Sequence, residues 1–348
     1  MALEQSQSAV RSGSSGSQQQ AARAGGKARL KKEAASLPYE EGMAKLSGAP
    51  EADGSLPPPP APEKKDLPDP GVVKDATTQK EDPYAYKKNE RGATLFGPNG
   101  VKASDVRQGS IADCYFAAAV CAVANANPGV IEKAIKDNAD GTYTVTFYEV
   151  DYWNDTAKPH KETVDADLPW KADTDQPAYI KSTEMVEGKA WMELWPSILE
   201  KAYAQWKGSY DEIGHGGNSG EVMTALTGKR SKYQSTQGNV DALWEKMKKA
   251  SADKKPMTAG TGDKDDERYK DPQAGVYGWH AYTVLGVSER KEGDEVKKFV
   301  TMRNPWAKRR RDTDAAAVGD KDNATAGGVF ELTYDEFRRL YDDVSING

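Results

Sequence analysis

Gln108-Gly109-Ser110-Ile111-Ala112-Asp113-Cys114-Tyr115-Phe116 opens a run of small and apolar residues that reaches Ala124 and carries no charge after Asp113. The pattern predicts a helix over 113–124, stopped by Asn125-Ala126-Asn127-Pro128-Gly129, where Pro and Gly forbid continuation. A helix that is apolar on every side belongs in the centre of a domain, so Cys114 is expected at the exposed end of a central helix. Helix N-termini carry partial positive charge and unpaired N–H groups, which favour a thiolate and can hold an oxyanion. A free Cys in apolar surroundings is still more often a small buried hydrophobe than a nucleophile, and its partners decide the reading.

Those partners lie far downstream, in Gly278-Trp279-His280-Ala281-Tyr282 and Arg303-Asn304-Pro305-Trp306. His280 would serve as base and Asn304 would orient it. The order Gln, Cys, His, Asn is that of a papain-type thiol hydrolase, whose members meet in space and not in sequence. Gln108 would then add a side-chain amide to the Cys114 N–H around the oxyanion. Trp306 would cover the His280–Asn304 hydrogen bond and keep water out. Each residue has a bland alternative, but their joint presence does not.

Around these motifs the chain of 348 residues divides by composition. Residues 1–92 contain Gln18-Gln19-Gln20, Pro57-Pro58-Pro59-Pro60 and Ser/Gly- and Ala/Lys/Arg-rich stretches, with almost no β-branched or aromatic residues before Tyr84. Such a segment cannot offset the entropy of ordering it and is expected to be a disordered leader, dispensable for the fold. Residues 93–348 hold all eight Trp and suffice for one two-lobed domain. A net charge of −6 argues against nucleic acid as the main partner. Neither a membrane span nor a secretory signal is legible, which points to a cytoplasmic protein, with export by a route that needs no classical signal peptide as the alternative. Cys121, seven residues after Cys114, is too far along the same helix for a disulfide, and both thiols should be free. With three His and no zinc-binding spacing, no zinc site is expected, and His160 and His215 receive no catalytic role.

The 3.6-residue period predicts helices over 130–136, 195–206, 219–226 with Ser219 as cap, and 240–250. Alternation predicts a strand over 143–147. After Pro256 strands take over, at 257–261, 279–288, 297–304 and 329–332, before a last helix opened by the capping box Thr333-Tyr334-Asp335-Glu336. A helical half carrying Cys114 and a sheet half carrying His280 and Asn304 make an α+β fold with the active site in the cleft between them. Gly216 or Gly217 could lend backbone groups to an extended substrate there, since Gly permits close approach.

At these motifs the sequence resembles the calpain family of cysteine endopeptidases. The resemblance covers about residues 93–348 and includes Leu199-Glu200-Lys201-Ala202-Tyr203-Ala204, Gly208-Ser209-Tyr210, Gly217-Asn218-Ser219 and Gly328-Val329-Phe330-Glu331-Leu332. It implies a papain-like two-lobed core, protein or peptide substrates, a Cys114-His280-Asn304 triad and a thioester acyl-enzyme, with no cofactor for the chemistry itself. It also implies calcium, because Asp105 and Glu200 match positions that serve a calcium site in many calpains. Ala307-Lys308-Arg309-Arg310-Arg311 replaces the family's usual continuation after Asn-Pro-Trp, so a weak calcium response or none is expected. The alternatives are a transglutaminase-like acyltransferase, which normally has an acidic third member, and a catalytically silent peptide-binding module, which would not need an intact triad.

Overall fold

In a computed structural model, residues 65–74, 84–88, 93–171, 177–182, 184–186, 189–270, 275–307 and 327–348 are described. They all belong to one unit, Ala61–Gly348. The expected leader up to residue 64 lies outside the described residues.

Helix α1 (Cys114–Ala126) is the axis of the first lobe, and every residue in it except Cys114 and Asn125 is buried. Its Ala-rich surface lets neighbours approach from all sides, as the uncharged run demanded. Around it stand α2 (Pro128–Ala134), α3 (Trp195–Lys207), the single turn α4 (Tyr210–Ile213) and α5 (Ser219–Thr227). The lobe also carries sheet structure. The edge strand β1 (Tyr84–Lys87) is followed by β2 (Ile135–Asp137), β3 (Thr142–Asp151), β4 (Thr156–Asp165) and β5 (Leu168–Lys171), then the hairpin of β6 (Glu184–Val186) and β7 (Lys189–Trp191). Strands β2, β3 and β4 form an antiparallel sheet, and β1 pairs with β5. The first half is therefore mixed and not purely helical, because β3 extends to Asp151 and turns back on itself.

The second lobe is a six-stranded antiparallel sheet backed by helices. In chain order it contains β8 (Ser231–Ser235), α6 (Val240–Ala252), β9 (Met257–Gly260), β10 (Ala281–Glu292), β11 (Glu295–Arg303), β12 (Val329–Thr333), α7 (Tyr334–Leu340) and β13 (Asp343–Asn347). The sheet order is β12-β11-β10-β9-β13-β8, so the last strand is inserted between β9 and β8. Leu243, Trp244 and Met247 of α6 and Phe337 of α7 pack on one face with Tyr282 and Val284. The opposite face of β10 meets α1, where Thr283 Oγ1 donates to the Ala118 carbonyl at 2.8 Å. This is the period-2 division expected for residues 280–285.

Three further contacts join the lobes. Asn125 Nδ2 donates to the Leu285 carbonyl at 2.9 Å, and Gln108 N–H donates to the Pro305 carbonyl at 3.0 Å. The buried Arg303 guanidinium reaches the Val106 carbonyl at 2.7 Å and Cys121 Sγ at 2.8 Å. The second thiol thus has a packing role beneath an arginine. Both Cys are free.

Two local expectations change. The cap of α5 is Asn218, whose side chain accepts from Gly220 and Glu221 N–H, while Ser219 is already helical. Asn is as good a cap as Ser, and its longer side chain spans the first turn. The boundary at residue 92 also moves, because residues 65–74 and 84–88 are held on the domain. Leu67 N–H donates to Asp165 Oδ2, Asp69 pairs with Lys201, Tyr210 N–H donates to the Gly71 carbonyl, and β1 pairs with β5. Composition hid this, since the segment attaches through backbone groups, the ion pairs Asp69–Lys201 and Lys65–Asp140 and a few side chains laid on the domain's core, and not through a core of its own. A chain beginning at Ala61 is expected to melt within a few degrees of the full chain. One beginning at Asn89 should melt several degrees lower, because it loses β1, the backbone contacts of residues 65–74 and one of the two carboxylates of Lys201, at about 1–3 kcal/mol in all. Calorimetry of the two truncations checks this, and equal melting temperatures would show that the attachment contributes nothing.

Candidate active site

Cys114 begins α1 and is half-buried, while Cys121, two turns on, has no exposure. Three backbone N–H groups face the Cys114 sulfur, those of Cys114, Tyr115 and Ala281. They favour the thiolate, but burial is the larger influence and raises the thiol above its ordinary value, with Asp113 adding to the rise. Asp113 is wholly buried, and Glu200 of α3 lies against it. Both carboxyls are raised, chiefly by burial, with Glu200 pushed up further by its neighbour. Glu200 is fixed by Ile180 N–H at 3.1 Å to each oxygen. Burial thus favours the neutral form of both carboxyls, which limits the negative charge opposing a thiolate at Cys114.

His280 precedes β10 and Asn304 follows β11, so the hairpin between them brings the two residues to one end of the sheet. His280 Nε2 lies 2.9 Å from Asn304 Oδ1. The same Oδ1 accepts the Trp306 N–H at 3.1 Å. A backbone N–H can only donate, so Oδ1 is the acceptor for both and Nε2 carries the proton. Nδ1 is then the unprotonated, basic nitrogen of the neutral ring. The Trp306 ring covers the imidazole, with centroids 4.3 Å apart. Burial lowers His280 to about 4 despite the Asn304 hydrogen bond, which acts in the opposite direction. At neutral pH the resting imidazole is uncharged.

Cys114 and His280 line one cavity of about 620 Å³ with Gly217, Tyr233, Gly260, Trp279 and Asp343 among its walls. Gly217 has no room for a side chain, since a Cβ would come within 2.5 Å of the Tyr115 ring. Trp279 holds a positive φ of 50° and is 70% exposed at the mouth. Such a backbone is uncommon for a bulky residue and fixes where the His280 side chain leaves the chain.

The other expected site residues fall as follows. Gln108 is buried, outside the cavity lining, and its Nε2 donates to the Ile111 carbonyl at 2.7 Å. A side-chain amide has two N–H groups, and the Ile111 carbonyl takes one of them. His160 stacks on Trp206 and approaches Glu162, away from the cavity, and His215 is an exposed rim residue beside Asp211.

Asp105 and Glu200, the expected calcium ligands, are both buried, and each carries its own hydrogen bonds. Asp105 accepts Lys102 N–H and the Ser104 hydroxyl and acts on Cys121, whereas Glu200 pairs with Asp113. Among the described residues the carboxylates that do converge are Asp66, Asp165 and Asp167. There the Lys201 ammonium already binds Asp165 Oδ1 at 2.6 Å and the Asp167 carbonyl at 2.7 Å.

Asp343, Tyr233 and Ser345 line the cavity from β13 and β8, strands not foreseen from the sequence. Val344 and Ile346 alternate there with polar residues, a signal present but only five residues long.

No single helix among the described residues is long and apolar enough to cross a membrane. Comparison with known proteins agrees with the geometry. The model of the calpain family cysteine proteases matches residues 76–347. A calpain-type cysteine protease, ADL1, of Oryza sativa subsp. japonica is 32% identical over 216 residues, which is 60% of this chain and 9% of the relative. The calpain-2 catalytic subunit of Gallus gallus is 26% identical over 220 residues, covering 61% of this chain and 29% of that protein. Calpain-12 of Homo sapiens is 26% identical over 209 residues, 58% and 27% respectively. The match therefore spans less than a third of each relative's own length. A papain-like α+β core, a Cys at the head of the central helix, a His and an Asn joined at one end of the sheet and a family match over most of the sequence place this chain in the calpain family of cysteine proteases.

Proposed function

We propose that the chain is a thiol endopeptidase acting through Cys114, His280 and Asn304. The observation that carries this reading is the tautomer imposed by Asn304 and Trp306, which leaves Nδ1 as a base in the cavity that also holds the thiol. Cys114 Sγ attacks the peptide carbonyl carbon while its proton passes to His280 Nδ1. The carbonyl oxygen becomes an oxyanion held by Cys114 N–H and the second N–H of Gln108 Nε2. Collapse breaks the C–N bond, and His280 returns the proton to the leaving amine, leaving a thioester. A water that gives its proton to His280 then hydrolyses the thioester and restores the thiol. Gly217, without a side chain, lends its backbone to an extended substrate. The chemistry needs no cofactor. No step passes through calcium.

Incubation with an unfolded protein, followed by mass spectrometry, tests this reading. New peptide termini are expected, in chelator as in millimolar calcium. Amine incorporation without new termini would instead make the chain an acyltransferase. Asn304→Ala should lower kcat on the order of 10²-fold with little change in KM. Its acid limb should move to lower pH, because the lost hydrogen bond was holding the His280 pKa up. Wild-type turnover in Asn304→Ala would mean that another group positions the base.

A further inference from the structure

The cavity that holds Cys114 and His280 contains a charge that the triad does not use. Among the described residues its lining includes no Lys or Arg and a single carboxylate, Asp343. Asp343 opens β13 and lies in register with Gly260 of β9, which in turn lies in register with Ala281 of β10. Neighbouring strands are about 4.8 Å apart, so Asp343 is roughly 10 Å from the residue whose N–H faces the Cys114 sulfur. An extended peptide advances about 3.3 Å per residue, and that span equals two or three residues of substrate.

The carboxylate has a prepared place. A Cβ at Gly260 would lie 2.7 Å from Asp343 Oδ2, so Gly at this position makes room for the acid, and its backbone N–H supports it. The adjacent Asp342 is already committed to Arg268, 2.7 Å away. Asp343 has no Lys or Arg partner among the described residues and is half-buried. Burial and Asp342 push it up to about 6, which leaves it ionised at neutral pH and short of a cation. Tyr233, 63% exposed, and Trp279 offer aromatic faces in the same cavity. Such faces suit the stem and the head of a long basic side chain.

We infer that Asp343 selects substrates bearing Lys or Arg two or three residues from the scissile bond, with Tyr233 and Trp279 as the walls of that subsite. Its effect on cleavage rests on the endopeptidase reading, whereas its effect on peptide binding does not. The test therefore has two arms, both on the full chain.

In the first arm, cleavage sites in a mixed peptide pool are mapped by mass spectrometry. Lys and Arg should be enriched at one position two or three residues from the cut. Asp343→Asn should reduce the kcat/KM ratio of basic to neutral peptides about tenfold or more, the scale of a hydrogen bond to a charged group. Asp343→Lys should turn the preference toward Asp and Glu, a gain that misfolding cannot imitate. In the second arm, Cys114→Ala protein binds fluorescein-labelled Ala/Gly decapeptides carrying one Arg or one norleucine, read by anisotropy at low salt. The Arg peptide should bind about tenfold tighter, and Asp343→Asn should abolish the difference. Equal binding of the two peptides, or discrimination that survives Asp343→Asn, overturns the inference. Selective binding without any cleavage by the native chain sustains it and removes the endopeptidase reading instead.

Discussion

Cys114→Ala should lose peptide cleavage by about 10⁴-fold or more, since removal of a nucleophile leaves only binding and oxyanion stabilisation. It should also lose labelling by a thiol-directed electrophile. Cys121→Ala should keep both. The two thiols sit on one helix, but Cys114 opens into the cavity while Cys121 is closed off beneath Arg303. Accessibility and the N–H groups around the sulfur make the first reactive, and burial makes the second inert. Losing the Arg303 contact should cost Cys121→Ala stability, about 1 kcal/mol, without touching the reaction. Labelling that follows Cys121 would overturn the assignment.

The second large effect is on stability and concerns Lys201. Its ammonium is 1% exposed and binds Asp69 Oδ1 at 2.5 Å, Asp165 Oδ1 at 2.6 Å and the Asp167 carbonyl at 2.7 Å. It joins α3, the end of β4 and the segment before β1 in one buried knot. Lys201→Met keeps the length of the stem but leaves the buried Asp165 carboxylate without its cation. That should cost about 3–5 kcal/mol and roughly 10 °C of melting temperature. Adding Asp165→Asn should recover much of the loss, because the penalty comes from an uncompensated charge and not from missing contacts. A loss below about 1 kcal/mol in the single variant would show that water reaches this site.

Residues acting through local chemistry were readable in advance. The helix over 113–124 is observed as Cys114–Ala126, and the helix over 195–206 as Trp195–Lys207. The Thr333/Glu336 capping box is present with both reciprocal hydrogen bonds. Strands after Pro256 were also legible, though β10 and β11 continue past the expected ends as a long exposed hairpin. Missed were β1, β2 and β4 to β7 of the first lobe, and β13 and β8, each five residues long, which are strands only because each finds an edge to pair with. With them went Asp343 and Tyr233.

By itself the sequence determined the family, the α+β class and the separation of a thiol-bearing half from a half bearing His and Asn. Periodicity, capping chemistry and motif order are local properties, and they survive without knowledge of the fold. Only the tertiary structure decided what depends on which backbone groups meet across strands and lobes. It set the His280 tautomer, because Trp306 N–H fixes the Asn304 amide. It gave Asp105 the Lys102 N–H and Glu200 the Ile180 N–H as partners. It drew residues 65–74 onto the domain, because Asp165, Lys201, Tyr210 and Asp140 offer that segment polar partners. It also set Asp343 in the cavity, because the last strand enters the sheet between β9 and β8. Most of these outcomes come from a long-range pairing, and the residues on either side of it in sequence carry no record of the partner.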